Sequence, residues 1–234
     1  MIGYGNCRCD EIGIHASLKM MWEQSRVGSS PTSGTMSYYR TPQLNTDKNL
    51  QAYIIGLAIG DGNLSNPNGR ATRLRVSCDT KYPKLIKRIS DSLGSLLPQN
   101  KVGLVKKEGN CSDVYVYSNH LENLLGWNAN DGSKDLQKVS VPAWIQAKEE
   151  YKINCLRGLI ETDGAIYADR GYKMVIFSTI ISGLAHDVFG IFKSLGFSPK
   201  LYSIKQKPTG KLKYQVRLSK DVQRFLDLVK PDKS

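Results

Sequence analysis

Two aspartates, Asp61 and Asp163, close the same pattern, Gly-Leu-x-x-x-Asp-Gly, 102 positions apart. The first copy reads Ile54-Ile55-Gly56-Leu57-Ala58-Ile59-Gly60-Asp61-Gly62, and the second Leu156-Arg157-Gly158-Leu159-Ile160-Glu161-Thr162-Asp163-Gly164. A single Asp-Gly pair is an ordinary way to end a helix or make a turn. Two copies invite a chemical reading. If the copies meet, two carboxylates at helix C-termini face each other, where the helix dipole and the like charge both disfavour them. A divalent cation resolves that conflict, and two carboxylates with a few more oxygens suit Mg²⁺ or Mn²⁺. Carboxylate-bound metal is one way to stabilise the charge that builds up in phosphoryl transfer.

Such a centre needs two helices that can touch. Gly56 and Gly60, like Gly158 and Thr162, are four residues apart and lie on one helical face. Small residues at that spacing let backbones approach closely, so Gly56 and Gly158 are the expected helix-interface positions. The first helix is expected from an N-cap at Thr46 or Asp47, through Leu50, Tyr53, Ile54, Leu57 and Ala58, to a stop at Gly62 in the left-handed region. The second is expected over Glu149 to Asp163.

The surrounding pattern repeats too. After the first motif come a polar turn from Ser65 to Gly69 and a strand from Arg73 to Ser77. An amphipathic helix from Tyr82 to Leu93, hairpin strands Val102 to Val105 and Val114 to Tyr117, and a short helix from Leu121 to Leu125 complete the unit. After the second come strand Tyr172 to Ser178, helix Ser182 to Leu195, strands Lys200 to Lys207 and Leu212 to Leu218, and helix Asp221 to Val229. Ser92-Leu93-Gly94 even answers Ser194-Leu195-Gly196 at the same offset. Duplication and pseudo-twofold symmetry follow, with units at 47–125 and 148–234 and a linker at 126–147. Residues 1–46 read differently. Gly28 to Thr35 has linker composition, which predicts a poorly ordered tail or a segment upstream of the true start, with Met36 a plausible initiator.

Of the 234 residues, 33 are Lys or Arg and 21 are Asp or Glu, and the isoelectric point near 9.4 points to a polyanionic partner, nucleic acid first. Arg73 and Arg75 alternate with Leu74 and Val76, and Lys213, Gln215 and Arg217 with Tyr214, Val216 and Leu218. Each strand thus offers an apolar face for packing and a basic face for phosphates and base edges. Arg70, Lys107, Lys173, Lys207 and Lys211 extend the set of candidate DNA contacts. Five scattered cysteines with no C-x-x-C pair argue against a disulfide framework or zinc site, and His15, His120 and His186 lack ligand spacing. There is no run of about 18 apolar residues, no basic stretch followed by an apolar run in the first residues, and no P-loop. A non-secreted, non-membrane protein of the cytoplasm or an organellar matrix is expected.

The paired motifs resemble those of LAGLIDADG homing endonucleases in their single-chain, two-motif form. The second copy is the closer match; Ile59 stands where an acid is usual, a place Glu161 fills in the second. Val141-Pro142-Ala143-Trp144-Ile145 is similar to a Pro-x-Trp segment of such proteins. The resemblance implies an α+β fold of two αββαββα units, with the motif helices packed centrally and antiparallel sheets forming a saddle over double-stranded DNA. It implies metal ligation by Asp61 and Asp163 with the carbonyls of Gly60 and Thr162, and a lysine from each sheet near the metal-bound water, for which Lys106 and Lys205 match best by strand position. A site-specific endonuclease acting as a monomer and cutting both strands is the implied activity. An RNA maturase acting on intron RNA, or a non-cleaving regulator, is the alternative on the same fold.

Overall fold

The computed structural model of the chain describes residues 44–208 and 210–233. The tail expected over 1–46 therefore lies outside the described residues, apart from 44–46. The described residues fall within one compact unit.

In chain order the first repeat holds α1 (Lys48–Ile59), β1 (Gly62–Ser65), β2 (Arg73–Asp79), α2 (Pro83–Leu96), β3 (Gly103–Lys106), β4 (Cys111–Tyr117) and α3 (Leu121–Leu125). The second holds α4 (Glu149–Asp163), β5 (Gly164–Asp169), β6 (Tyr172–Thr179), α5 (Ser182–Ser194), β7 (Lys200–Lys205), β8 (Leu212–Leu218) and α6 (Val222–Val229). Each sheet is antiparallel, in order β1-β2-β4-β3 and β5-β6-β8-β7. This is the expected αββαββα plan, stated twice.

Asp47 caps α1, its carboxylate accepting from the Asn49 N–H at 2.9 Å. Almost every residue of α1 is buried, because α1 and α4 pack on each other at the centre while the sheets and outer helices cover them. Trp144, in a 3₁₀ turn ahead of α4, packs edge-on against Tyr151 at 5.5 Å and takes the Lys48 ammonium over its ring. The second repeat is filled by Phe192, Phe197 and Phe225, with Phe192 and Phe225 stacked at 4.8 Å.

Gly62 does not stop α1 in the left-handed region. It opens β1, and a Cβ there would run into the backbone of Ala58; Gly164 meets Ile160 in the same way. Glycine is needed at both places because the strand leaves the helix end at a sharp angle, which also puts each Asp at that corner.

Candidate nucleic-acid interface and carboxylate centre

The contact between α1 and α4 sets the whole site. A Cβ on Gly56 would overlap the backbone of Cys155, and one on Gly158 would lie 2.6 Å from the Leu57 nitrogen. Gly60 faces Thr162, whose hydroxyl is turned back onto the Gly158 carbonyl at 2.8 Å. The helices thus touch backbone to backbone at the glycines, and the two motif ends arrive side by side.

Two clefts open at those ends. One, of about 310 Å³, is lined by Asp61, Glu161, Thr162, Ser77, Asp79 and Lys233 among others. The other, of about 390 Å³, is lined by Asp163, Gly60, Lys134, Ser178, Gln206 and Lys213 among others. Each aspartate shares its cleft with the residue that precedes the other aspartate. Burial pushes the Asp61 carboxyl above its ordinary range although its edge is open to solvent, and Lys233 and Lys134 only partly oppose this. Burial and then the Asp61 charge push Asp163 up to about 6, against Lys134, Lys233 and Lys213. The Asp61 charge thus acts on Asp163, while burial alone raises Asp61.

Sequence reasoning missed the two ammonium groups nearest these acids. Lys134 Nζ donates to the carbonyls of Ala58 (3.2 Å), Ile59 (2.6 Å) and Gly60, and so caps the C-terminus of α1. Lys233 Nζ donates to Thr162 O at 2.6 Å and approaches Gly164 O at 3.5 Å, capping α4. Burial lowers both ammonium pKa values, while Asp61 and Asp163 hold them up. Each lysine follows the last helix of its own repeat, α3 or α6, so they are structural counterparts. A shared lysine after each closing helix was the available signal, but the differing lengths of the two segments hid it.

Lys106 and Lys205 are placed elsewhere, which corrects the expectation for them. Lys106 pairs with Ser112 and Lys205 with Leu212, on the face of each edge strand that carries Leu104 and Leu201, and neither lines a cleft. The sheet lysine beside Asp163 is Lys213. Lys173 is corrected too: it shares a face with Val175 and Phe177 and donates to Gln223 of α6 at 3.3 Å, so it lies on the helix side.

The remaining basic candidates lie on the open sheet faces and in the loops. Arg73 and Arg75 stand on the open face of the first sheet, and Lys213, Gln215 and Arg217 on that of the second. Arg70 is exposed before β2, and Lys207 and Lys211 are exposed in the β7–β8 loop. The first sheet carries its own counter-ion. Asp113, only 3% exposed, accepts from Ser77 at 2.7 Å and pairs with Lys107 at 2.6 Å and Arg75 at 3.5 Å. Burial would raise its carboxyl, but these partners hold it below the ordinary range. Arg217 pairs at 3.4 Å with Asp169, a far more exposed carboxylate.

A family profile described as a LAGLIDADG-like domain matches residues 150–230. The fold is similar to that of I-DmoI in complex with DNA and Mn, with 20% identity, 78% of this chain and 96% of the other covered, and a TM-score of 0.57. This chain has the LAGLIDADG fold in its single-chain, two-motif form. I-DmoI in complex with DNA and Ca gives 18% identity, coverage of 78% and 88%, and a TM-score of 0.52. The N-terminal LAGLIDADG domain of DUF199/WhiA gives 11% identity, coverage of 80% and 85%, and a TM-score of 0.52. No curated protein matches the sequence.

Among the described residues no three His, Cys, Asp or Glu side chains gather as metal ligands; the oxygen groups at the two clefts include the Asp61 and Asp163 carboxylates and the carbonyls of Gly60 and Thr162. That all-oxygen set, with both acids raised chiefly by burial, fits a hard divalent cation.

Proposed function

We propose that this protein is a site-specific, divalent-metal-dependent DNA endonuclease that acts as a monomer and hydrolyses one strand at each cleft. The observation that carries this reading is the crossed pairing of the clefts. Asp61 stands with Thr162 and Asp163 with Gly60, each beside a lysine ammonium. The I-DmoI structures, which hold DNA with Mn or Ca, support it.

Asp61 with the Thr162 carbonyl, and Asp163 with the Gly60 carbonyl, would hold Mg²⁺ or Mn²⁺. When bound, the cation neutralises charge on the scissile phosphate and lowers the pKa of its water. The basic faces of β2 and β8, with the exposed loop cations, grip the duplex backbone and set its register over the clefts. In-line attack of water on phosphorus expels the 3′ oxygen, leaving a 5′ phosphate and a 3′ hydroxyl. Lys134 and Lys233 add positive charge beside the reacting phosphates and can pass a proton.

One observation favours a second reading, DNA binding without cleavage. Both carbonyls assigned to the cation already accept from lysine ammoniums. The two readings separate on duplexes selected from a randomised library. The endonuclease reading expects linear product in Mg²⁺ and only nicked product from Asp61→Asn or Asp163→Asn, with affinity kept. Full double-strand cutting by both variants refutes it, and sequence-selective binding with no cutting establishes the second reading.

A further inference from the structure

The two lysines are held in place by unrelated devices. Glu161 is 1% exposed and lies in the α1–α4 contact, where its counterpart in the first motif is Ile59. Its Oε2 accepts from the Tyr53 hydroxyl at 2.6 Å. Its Oε1 accepts from Arg88 Nη1 at 3.0 Å and from the backbone N–H of Asp232 at 2.9 Å. Arg88 also pairs through Nε with the Asp232 carboxylate at 2.8 Å, and Arg157 donates to the Val229 carbonyl at 2.5 Å. The segment after α6 is thereby clasped to the motif helix, and the next residue, Lys233, reaches Thr162 O.

Lys134 receives no such help. It sits in a compact turn organised by Gln137, whose amide donates to Asn128 O at 2.9 Å and Gly132 O at 3.1 Å while its carbonyl accepts from Asn128 N at 2.9 Å. The Lys134 carbonyl in turn accepts from Val139 N at 2.9 Å. Ile59 meets that turn only through its backbone carbonyl, and its side chain has no polar atom to play the part of Glu161.

We propose that Glu161 is a positioning residue that sets Lys233 at the Asp61 cleft, that Gln137 does the same for Lys134 at the Asp163 cleft, and that the two cleavage centres are therefore tuned separately. The inference rests on the endonuclease reading for its consequence, strand selectivity, but its structural core does not. Glu161→Ile, which borrows the residue of the first motif, releases the segment after α6; Glu161→Gln keeps the shape and an acceptor and rescues part of the effect.

Two measurements test it. In the metal-free protein, acylation of lysines read by mass spectrometry should show Lys233 labelled severalfold faster in Glu161→Ile, with Lys134 unchanged; Gln137→Ala should give the reverse. On a selected duplex labelled on either strand, Glu161→Ile should slow one strand about tenfold or more and leave the other within about twofold, as loss of a supporting contact does elsewhere. Gln137→Ala should slow the opposite strand. Equal labelling of Lys233 in Glu161→Ile and wild type, or equal slowing of both strands, overturns the proposal. If Glu161→Ile fails to fold, Glu161→Gln carries both arms at reduced amplitude. If the wild type cuts nothing, the endonuclease reading falls and the labelling arm still decides the clasp.

Discussion

Asp163→Asn should make the metal-free protein more stable while removing the proposed cation ligand. The carboxyl is displaced from 3.8 to about 6 by burial first and the Asp61 charge second. The folded chain thus holds this proton more tightly than the unfolded one, and stability falls as pH rises from about 4 to about 6. Below that window both states are protonated and the penalty vanishes; above it the penalty is complete. At about 1.4 kcal/mol per pH unit the displacement amounts to about 3 kcal/mol, which solvent at the cleft mouth trims to about 1–2 kcal/mol. Asparagine keeps the shape and carries no charge, so it recovers that amount at pH 7–8, a rise in Tm of about 3–6 °C for a unit of this size. Thermal unfolding in EDTA across pH 4 to 8 reads it directly, provided the variant is compared with wild type at each pH. Saturating Mg²⁺ should narrow the difference, because the cation relieves the wild-type pair and loses a ligand in the variant. A variant no more stable than wild type at pH 8, or a gain that persists unchanged at pH 4, refutes the account of strain between the acids.

Gly158→Ala should lose about 2–3 kcal/mol by urea unfolding, since its new methyl meets the Leu57 nitrogen and neighbouring backbone rather than movable side chains. Asp113→Asn should free Lys107 and Arg75 for phosphate and steepen the salt dependence of duplex binding by up to about 2 in log–log slope, measured by titration at several KCl concentrations. Phe225→Ala empties the centre of the three-ring cluster and should lose about 3–5 kcal/mol, read as a lowered urea midpoint.

Helices and paired strands were legible in the sequence wherever burial imposed a period. Residues from Glu149 to Asp163 and from Leu212 to Leu218 form the expected elements at those bounds. β1 and β5 were not foreseen as strands from the residues. They leave the motif glycine without a turn, and β1 offers only Gly-Asn-Leu-Ser, too short for alternation to show. The helix contact at Gly56 and Gly158 was readable because only small residues permit it. Side-chain direction at the sheet edges was not. Lys106 and Lys205 lie one residue out of phase with the open face, and a single step along a strand reverses the side. Lys134 and Lys233 were invisible for a different reason: each comes from an irregular segment whose path is set by tertiary hydrogen bonds.

The two halves share a backbone plan but differ in where they spend their polar groups. In the first half the buried acid is on the sheet, where Asp113 ties down Arg75 and Lys107. In the second it is in the motif helix, where Glu161 ties down the segment after α6. A duplicated fold needs both motif helices to keep glycine at the crossing and aspartate at the corner, because contact there is mutual. It places no such demand on Ile59 and Glu161, whose neighbours belong to different elements. The centre is therefore symmetric where the helices touch and asymmetric one turn away.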